Sequence, residues 1–296
     1  MRLKAALAAA LTDGLRGTPR ALEGPLSAAL GGLLFATHER SVAMSNLERA
    51  FPEWSAGRRR RTALASYRHT ARALLEVLHS DRYGDEGLRD RVEIEGIERL
   101  ADPVAEGRGA LLLTGHYGNW EWLARRVAGE GLPFTALYKE PKDPDLGERL
   151  RSARAGSGVE YVPHEDVRTS LRRLRAGRVL GIVMDQEPKR LGDGAVAPLF
   201  GLPTLTFVAP FRLARLTGAR VVTAFCRGVE PGRYRAVFEP FEPSGDPDPD
   251  RAAAADAAAF NARLEAAIRA APEQWTWTYR RWKRIERGRG KGGGGS

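Results

Sequence analysis

Short apolar runs alternate with segments of helical spacing along most of this chain, and the alternation predicts a layered α/β fold. The clearest run, residues 110–113, is Ala-Leu-Leu-Leu and is bounded by glycines. An uninterrupted apolar run of this kind is typical of a strand buried on both faces of a sheet. Seven strands are predicted, at residues 92–95, 110–114, 134–138, 159–162, 180–184, 221–226 and 234–238.

Helices are predicted between most of these strands. Asp166 is a candidate N-cap for a helix that turns Val167 and Leu174 inward, and a second helix runs from Phe207 to a stop at Gly218. No internal repeat of fixed period is present. The predicted fold class is therefore α/β, a single layered domain with a mixed, largely parallel sheet flanked by helices.

The first 40 residues differ from the rest and are predicted to form a helical segment at a membrane interface. Residues 3–11 and 25–36 are apolar, but charged residues and Pro19 separate them, and neither reaches the ~20 apolar residues that span a bilayer core. A cleavable secretory signal and simple packing of residues 25–36 on the core are the alternatives. Residues 41–287 are predicted to form the main domain, and the glycine-rich residues 288–296 a flexible tail without function.

Composition and charge narrow the possible partners. The 296 residues are 43% apolar, enough for one core, and the net charge of +10 predicts a partner with phosphates or an anionic surface. Nucleic acid, a phosphorylated lipid in an anionic leaflet and an acidic carrier protein are the candidates. The four arginines at 58–61 favour nucleic acid, but they begin a segment of helical spacing, so a solvated or membrane-facing helix end explains them and no nucleic acid is predicted.

One cysteine and five histidines limit the other chemistry. Cys226 is the only cysteine, so no intrachain disulfide can form, and its apolar setting predicts a buried structural thiol rather than a nucleophile. The histidines other than His116 have no acidic neighbour at comparable spacing, and no metal-ligand cluster is predicted.

A catalytic corner is predicted where the second strand ends. His116 follows that strand, and Glu121 lies in the first turn of a helix capped by Asn119. Five residues on a continuous helix would diverge by roughly 140°, so the two side chains meet only if Gly115 and Gly118 bend the backbone between them. A histidine beside a carboxylate is a base for a hydroxyl proton.

The predicted site is therefore His116 as general base, oriented by Glu121. Backbone N–H groups near Gly118 and Asn119 are candidate donors to an oxyanion, and Asn119 is also a candidate substrate-binding residue. No G-x-S-x-G nucleophile elbow occurs in the chain, which favours direct attack by an acceptor hydroxyl. The alternative is a histidine that only fills the end of a strand.

Further candidate substrate-binding residues follow two other strands. Asp185 and Gln186 follow the fifth predicted strand, and because the carboxyl ends of parallel strands meet at one edge, they should converge with His116. Asp185 either steadies an arginine or acceptor sugar, or bonds backbone amides. Lys139, Arg151 and Arg154, with Lys142, follow the third strand, where a substrate phosphate would arrive; solvated helix positions are the alternative.

Two aromatic stretches have more than one interpretation. The loop at residues 200–204 is able to pass close to a ligand, and the neighbouring Phe207 and Phe211 either line an acyl pocket or belong to the core. Near the C-terminus, Trp275, Trp277 and Trp282 are interleaved with basic residues. That mixture suits a membrane–water interface, and it also suits stacking with single-stranded bases.

His116 and Glu121 resemble the His-x4-Asp/Glu motif of glycerolipid acyltransferases, and five other stretches resemble the lauroyl/myristoyl acyltransferase branch that acylates lipid A precursors in Gram-negative bacteria. These stretches are Asn46-Leu47 with Phe51-Pro52-Glu53, Tyr138-Lys139-x-Pro141-x-Asp143-Pro144, Met184-Asp185-Gln186, Phe200-Gly201-Leu202-Pro203-Thr204 and Pro272-Glu273-Gln274-Trp275-x-Trp277. They occur in the family's order and cover most of the chain. Lys139 and Asp143 stand where the family has Arg and Asn.

The resemblance implies a glycerolipid-acyltransferase-like fold and a membrane-associated O-acyltransferase on the cytoplasmic face of the bacterial inner membrane. It implies transfer of a fatty acyl chain from an acyl thioester, with acyl carrier protein as the expected partner, to a hydroxyl of a lipid A precursor, and Arg151 or Arg154 as the phosphate residue. No cofactor is expected beyond the thioester co-substrate. A lysophospholipid or glycolipid acyltransferase that uses acyl-coenzyme A, and a non-catalytic membrane- or nucleic-acid-binding module, are the alternatives.

Overall fold

The computed structural model describes residues 14–15, 17–37, 40–139 and 144–283. Predictions for residues 3–11, for Lys142 and for the tail at 288–296 lie outside these ranges. The α-helices of the described residues are α1 (Glu23–Phe35), α2 (Arg40–Ala50), α3 (Ala56–Leu78), α4 (Gly84–Arg89), α5 (Glu98–Ala105), α6 (Trp120–Ala128), α7 (Pro144–Arg154), α8 (Val167–Arg175), α9 (Ala209–Thr217) and α10 (Pro249–Ala270). Its strands are β1 (Val92–Glu95), β2 (Ala110–Thr114), β3 (Phe134–Tyr138), β4 (Val159–Pro163), β5 (Val179–Val183), β6 (Gly194–Leu199), β7 (Leu202–Phe207), β8 (Arg220–Thr223), β9 (Cys226–Glu230), β10 (Arg233–Val237) and β11 (Glu239–Phe241).

A six-stranded sheet forms the centre of the fold, in the order β11-β8-β2-β5-β3-β4. Five of these strands pair in parallel and β11 is antiparallel to β8, so the predicted mixed, largely parallel sheet is confirmed. Strand β2 is buried at every position, as its apolar run predicts. Leu111 and Leu113 pack into one core, and Ala110 and Leu112 pack into a second core on the opposite face. Helices cover both faces because both faces are apolar.

The prediction of a single sheet is wrong. Strands β1, β10 and β9 form a separate three-stranded sheet, and β6 and β7 form a two-stranded hairpin. The strand predicted at 221–226 is divided, since β8 ends at Thr223 and β9 begins at Cys226 in another sheet. Only the first half of that apolar run lies between buried neighbours in the central sheet, and hydrophobicity alone does not mark such a break.

The hairpin also corrects the predictions for residues 200–204 and for Phe207. Leu199 pairs with Leu202, so only Phe200 and Gly201 form the turn, and both have positive φ, at 53° and 70°. A two-residue turn of this kind closes a hairpin tightly, and no open ligand loop remains. Phe207 ends β7, and α9 begins two residues later at Ala209.

Helix termini follow the predicted signals more closely. Asp166 caps α8, because its Oδ1 accepts a hydrogen bond from the backbone N–H of Thr169 at 3.0 Å. Gly218 ends α9 in the left-handed conformation, with φ at 72°. Leu174 is buried as predicted, but Val167 is 58% exposed, so its inward orientation is wrong.

Helix α1 packs along α3 through small residues. Ser27, Gly31 and Phe35 are buried on one stripe, and a Cβ atom on Gly31 would lie 2.5 Å from Cα of Arg68. Leu33, opposite this stripe, and Leu34, near the C-terminal end of the helix, are exposed. Residues 25–36 therefore pack on the fold with one face and leave the other apolar face open. Within the described ranges, no helix combines the length and apolar character that crossing a bilayer requires.

Candidate active site

The carboxyl ends of β2 and β5 lie side by side, and the predicted convergence of their following residues is confirmed. Thr114 pairs with Val183 in the parallel register. His116 and Asp185 each lie two residues beyond this pair, and the chain places them in direct contact. The site is thus built at the edge where open α/β sheets bind ligands.

Asp185 accepts two separate hydrogen bonds from His116, one from the imidazole and one from the backbone. Its Oδ1 lies 2.7 Å from Nδ1 of His116, and its Oδ2 accepts the backbone N–H of His116 at 3.0 Å. The indole Nε1–H of Trp275 also donates to Oδ2, at 2.7 Å. An ionised carboxylate only accepts hydrogen bonds, so Nδ1 carries a hydrogen and Nε2 is the basic nitrogen. The His116 side chain is 27% exposed while that of Asp185 is 3% exposed, so the ring is reachable and its partner is not.

Glu121 does not orient the His116 ring, and this prediction is corrected. Its carboxylate binds the Arg154 guanidinium in bidentate fashion, with Oε1 to Nη2 at 2.5 Å and Oε2 to Nε at 3.3 Å. The hydroxyl of Tyr161 donates to Oε2 at 3.3 Å. Glu121 lies in the first turn of α6, and from there it reaches across to α7 and β4. The spacing in the sequence correctly predicted that Glu121 lies near His116. It did not predict that the Glu121 carboxylate binds Arg154 instead of the ring.

The charges around His116 favour its protonated form. Burial alone would lower the pKa of His116, but the charge and hydrogen bond of Asp185 and the charge of Glu121 outweigh it and raise that pKa. Burial correspondingly acts to raise the pKa of Asp185, yet His116 and the bonds from Trp275 lower it overall. The pair therefore favours an ionised Asp185 beside an imidazole of increased basicity.

The turn between His116 and Glu121 is held tightly by its backbone. Gly118 has φ at 60°, and a Cβ there would lie 1.7 Å from the carbonyl oxygen of Cys226. The N–H of Gly118 donates to the Gln274 carbonyl, and that of Asn119 donates to the Cys226 carbonyl, both at 3.0 Å. Both N–H groups are occupied by backbone carbonyls, and binding of an oxyanion by N–H groups near Gly118 and Asn119 stays a prediction.

Asn119 is a structural residue rather than a substrate contact. Its Oδ1 accepts the backbone N–H of Trp122 at 3.0 Å, which caps α6, and its Nδ2 donates to Oε2 of Glu76 at 3.0 Å. The residue is 1% exposed. A side chain this buried cannot reach a bound lipid, so its predicted substrate-binding role is corrected.

The basic residues after β3 separate into two groups. Arg154 is 17% exposed, borders Glu121, and lies with its guanidinium 4.4 Å from the centre of the Tyr161 ring. Arg151 is 52% exposed and pairs with Glu148 one turn away. Lys139 is also exposed, at the end of β3. Among the described members of this group, Lys139, Arg151 and Arg154, only Arg154 joins the buried part of the site.

A recess of about 450 Å³ opens beside Arg154 along the edge strand β4. It is lined by Tyr138, Tyr161, Arg151, Arg154, Glu160 and Arg178, together with Val159 and the glycine-rich residues 155–158, and Arg178 pairs with Glu160 at 3.3 Å. Aromatic faces and guanidinium groups suit a phosphorylated sugar or a similar anionic headgroup. Gln186 is exposed directly after Asp185, and no bond to the other site residues is observed for it among the described residues.

The C-terminal aromatic residues are part of the core, which corrects both surface interpretations. Trp275, Trp277 and Trp282 are at most 1% exposed, and Arg281 is fully buried against Leu205 and the hydroxyls of Thr204 and Thr206. Trp275 is a site residue that the sequence interpretation missed. The sequence signal that could have identified Trp275 is its place in the stretch at residues 272–277, which resembles the acyltransferase family. Cys226 is buried as predicted, and burial raises the pKa of its thiol.

The known proteins described below that are similar to this chain are acyltransferases. The family model for bacterial lipid A biosynthesis acyltransferase matches residues 3–284. The chain is 29% identical to the lipid A biosynthesis palmitoleoyltransferase of Escherichia coli K12 over 84% of this chain and 80% of that protein. It is 28% identical to the lauroyltransferase of the same organism, over 85% and 81% respectively. The phosphatidylinositol mannoside acyltransferase of Mycobacterium tuberculosis is 32% identical over a shorter stretch, 46% of this chain and 44% of that protein.

Proposed function

Because the chain belongs to the bacterial lipid A biosynthesis acyltransferase family and is an O-acyltransferase, we propose that it moves a fatty acyl chain from an acyl carrier protein thioester to a hydroxyl of a phosphorylated lipid A precursor. The observation that carries the proposed mechanism is the contact between His116 Nδ1 and Asp185 Oδ1. It leaves a basic Nε2 on a partly exposed ring at the ligand-binding edge of the sheet.

In the proposed reaction His116 acts first as base and then as acid. Its Nε2 takes the proton from the acceptor hydroxyl while that oxygen attacks the thioester carbonyl carbon. The tetrahedral oxyanion collapses, the carbon–sulfur bond breaks, and the thiol leaves with the proton carried by His116. Asp185 stabilises the imidazolium throughout and fixes its tautomer, so it is a positioning residue. No acyl-enzyme forms, and an ester and a free thiol are the products.

Glu121 and Arg154 are proposed to bind substrate next to this base. The negative charge of Glu121 acts on His116, and hydrogen bonds from Arg154 and Tyr161 hold the Glu121 carboxylate in place. A carboxylate in that position can accept a hydrogen bond from a second acceptor hydroxyl. The recess that begins at Arg154, whose lining includes three arginines and one glutamate, would then take the phosphate of the same molecule. Trp120 lies with its ring centre 4.9 Å from that of His116 and gives an apolar wall for the acyl chain.

Membrane contact is proposed at the apolar face of α1. Leu33 on that face is 68% exposed, and Leu34 near the C-terminal end of the helix is 44% exposed. Their exposure and the net charge of +10 suit an anionic leaflet, where apolar side chains enter and cations remain at the headgroups. The cytoplasmic face of the inner membrane is the proposed location, since acyl carrier protein thioesters are made in the cytoplasm.

A second class of acceptor is to be compared with the lipid A precursor, because one relative is named a phosphatidylinositol mannoside acyltransferase. The acceptor in that name also joins a sugar to an anionic lipid, so the recess at Arg154 would suit it too. The test incubates purified full-length protein with labelled acyl carrier protein or acyl-coenzyme A, crossed with a phosphorylated lipid A precursor, a phosphatidylinositol mannoside and a lysophospholipid. Mass spectrometry of the extracted lipids identifies donor and acceptor together.

The proposal predicts a lipid A precursor that gains one acyl chain, with acyl carrier protein as the better donor. Product from the phosphatidylinositol mannoside alone would move the acceptor to the second class. Faster transfer from acyl-coenzyme A would overturn the donor assignment, and absence of product from all six mixtures would overturn the proposed function. Flotation with anionic and neutral vesicles tests the membrane contact separately.

A further inference from the structure

A buried carboxylate lies behind the active-site turn, away from the proposed substrate recess. Glu76, in the last turn of α3, is 2% exposed. Its Oε2 accepts hydrogen bonds from Asn119 Nδ2 at 3.0 Å and from the hydroxyl of Tyr234 at 2.5 Å. Neither Glu76 nor Tyr234 contacts the proposed substrate recess.

The same helix supports both halves of the site. Ten residues before Glu76, the hydroxyl of Ser66 donates to the backbone carbonyl of Trp275 at 2.6 Å, and Trp275 in turn binds Asp185. Glu76 binds Asn119, which caps α6 and so sets the first turn that carries Glu121. Helix α3 is therefore connected to the partner of His116 and also to Glu121.

Stability alone does not account for Glu76. Burial raises its pKa to about 7, against the lowering effect of the bonds from Tyr234 and Asn119 and of the charge on Arg72, while the charge on Glu23 adds to the increase. Keeping a carboxylate here opposes folding unless its bonds compensate, and an apolar side chain of similar volume avoids that cost. A buried carboxylate in such a place is expected to fix a geometry.

We propose that Glu76 is a positioning residue for the transfer reaction: through Asn119 it fixes the first turn of α6, and thereby the placement of Glu121 relative to His116. This rests on the proposed function. A misplacement of about 1 Å at a reacting group can reduce turnover by as much as 10²-fold, so loss of the bond should act on kcat more than on KM.

The test exchanges the two members of the bond in the full-length protein. Glu76→Leu alone removes the acceptor of the Asn119 amide, and Asn119→Asp alone places two carboxylates together. The double variant E76Q/N119D restores one hydrogen bond with reversed polarity, since the amide of residue 76 donates to the carboxylate of residue 119, which still caps α6. Tyr234→Phe is the control, because it removes the other bond to the same Glu76 oxygen and leaves the bond between Glu76 and Asn119 in place.

Glu76→Leu and Asn119→Asp are each expected to lower kcat about 10-fold or more with KM changed less than about 2-fold. The double variant should recover most of kcat, and Tyr234→Phe should lower Tm while its kcat stays within about 2-fold of wild type. If E76L and Y234F reduce kcat equally at equal loss of Tm, or if a folded E76Q/N119D remains as slow as N119D, the proposal is overturned. A double variant that fails to fold leaves the comparison of E76L with Y234F to decide.

A second readout needs no turnover. The titration of His116 followed by NMR, assigned with His116→Ala, should shift in E76L, because that variant frees the first turn of α6 and the charge of Glu121 acts on His116. The shift should be absent in Y234F and small in the double variant. Unchanged titration in E76L would overturn the positioning role even if the protein proved to have a different acceptor.

Discussion

Asp185 Oδ1 lies 2.7 Å from Nδ1 of His116, although 69 residues separate the two in sequence. The contact arises because β2 and β5 are parallel neighbours in register and each strand ends just before one member of the pair. Asp185 also accepts the backbone N–H of His116, so the backbone and the ring of one residue are fixed by one carboxylate. The ring can therefore rotate little without breaking a bond to a buried charge.

The acid limb of the pH–activity profile should report the pKa of His116. The base works only when neutral, so kcat/KM rises as pH passes through that pKa. Glu121 raises the pKa of His116 by its charge, and Glu121→Gln removes the charge, so the acid limb should move to lower pH. Glu148→Gln is the matched control, because Glu148 is 72% exposed on α7. A limb that stays in place in E121Q, or moves to higher pH, would exclude this electrostatic link.

Arg154 should not be replaceable by lysine. Its two nitrogens bind both oxygens of Glu121, and an ammonium acts as a single point charge that cannot reproduce this fork. We expect Arg154→Lys to lower kcat/KM by about 10-fold, equivalent to roughly 1.4 kcal/mol. Arg172→Lys on the exposed side of α8 is the control and should leave kcat/KM within about 2-fold. Equal kinetics for the two variants would mean that the geometry of the Glu121–Arg154 pair is not used.

Gly118 should tolerate no side chain. Alanine there would have to place Cβ where the carbonyl oxygen of Cys226 now lies, at a positive φ. We expect Gly118→Ala to reduce the free energy of unfolding by about 3 kcal/mol or more, measured by urea denaturation. Gly131→Ala is the control, because its φ of 78° carries the same strain but no atom lies within 4 Å of the new Cβ. It should lose about 1–2 kcal/mol, and equal losses would contradict the close approach of the two segments.

The sequence predicted the central sheet well because its strands are apolar on both faces. The strand at 110–114 matches β2 at both ends, and the strand predicted at 180–184 differs from β5 by one residue. Hairpin β6–β7 was missed because Pro198 and Pro203 face each other within it and its outer side is exposed, so neither strand has a continuous apolar run. Proline inside a run argues against a strand unless the strand lies at an edge.

The site was predicted more successfully in its location than in its bonds. His116, Glu121, Arg154 and Asp185 all lie at one edge of the sheet, but the sequence assigned the ring of His116 to the nearer acid. Spacing along a chain says which residues share a turn and does not say which partner tertiary packing brings closer. Asn119 was assigned to substrate because its contact with Glu76, 43 residues earlier, leaves no local signal.

The most direct test of the account is a double-mutant cycle on His116 and Asp185, measured as kcat/KM for acyl transfer to the lipid A precursor. If the two residues act as one base, His116→Ala and Asp185→Asn should each lower the rate by about 10²–10⁴-fold, and the double variant should be no slower than H116A. Wild-type transfer by folded H116A, or losses that multiply fully in the double variant, would contradict the claim that Asp185 acts through His116.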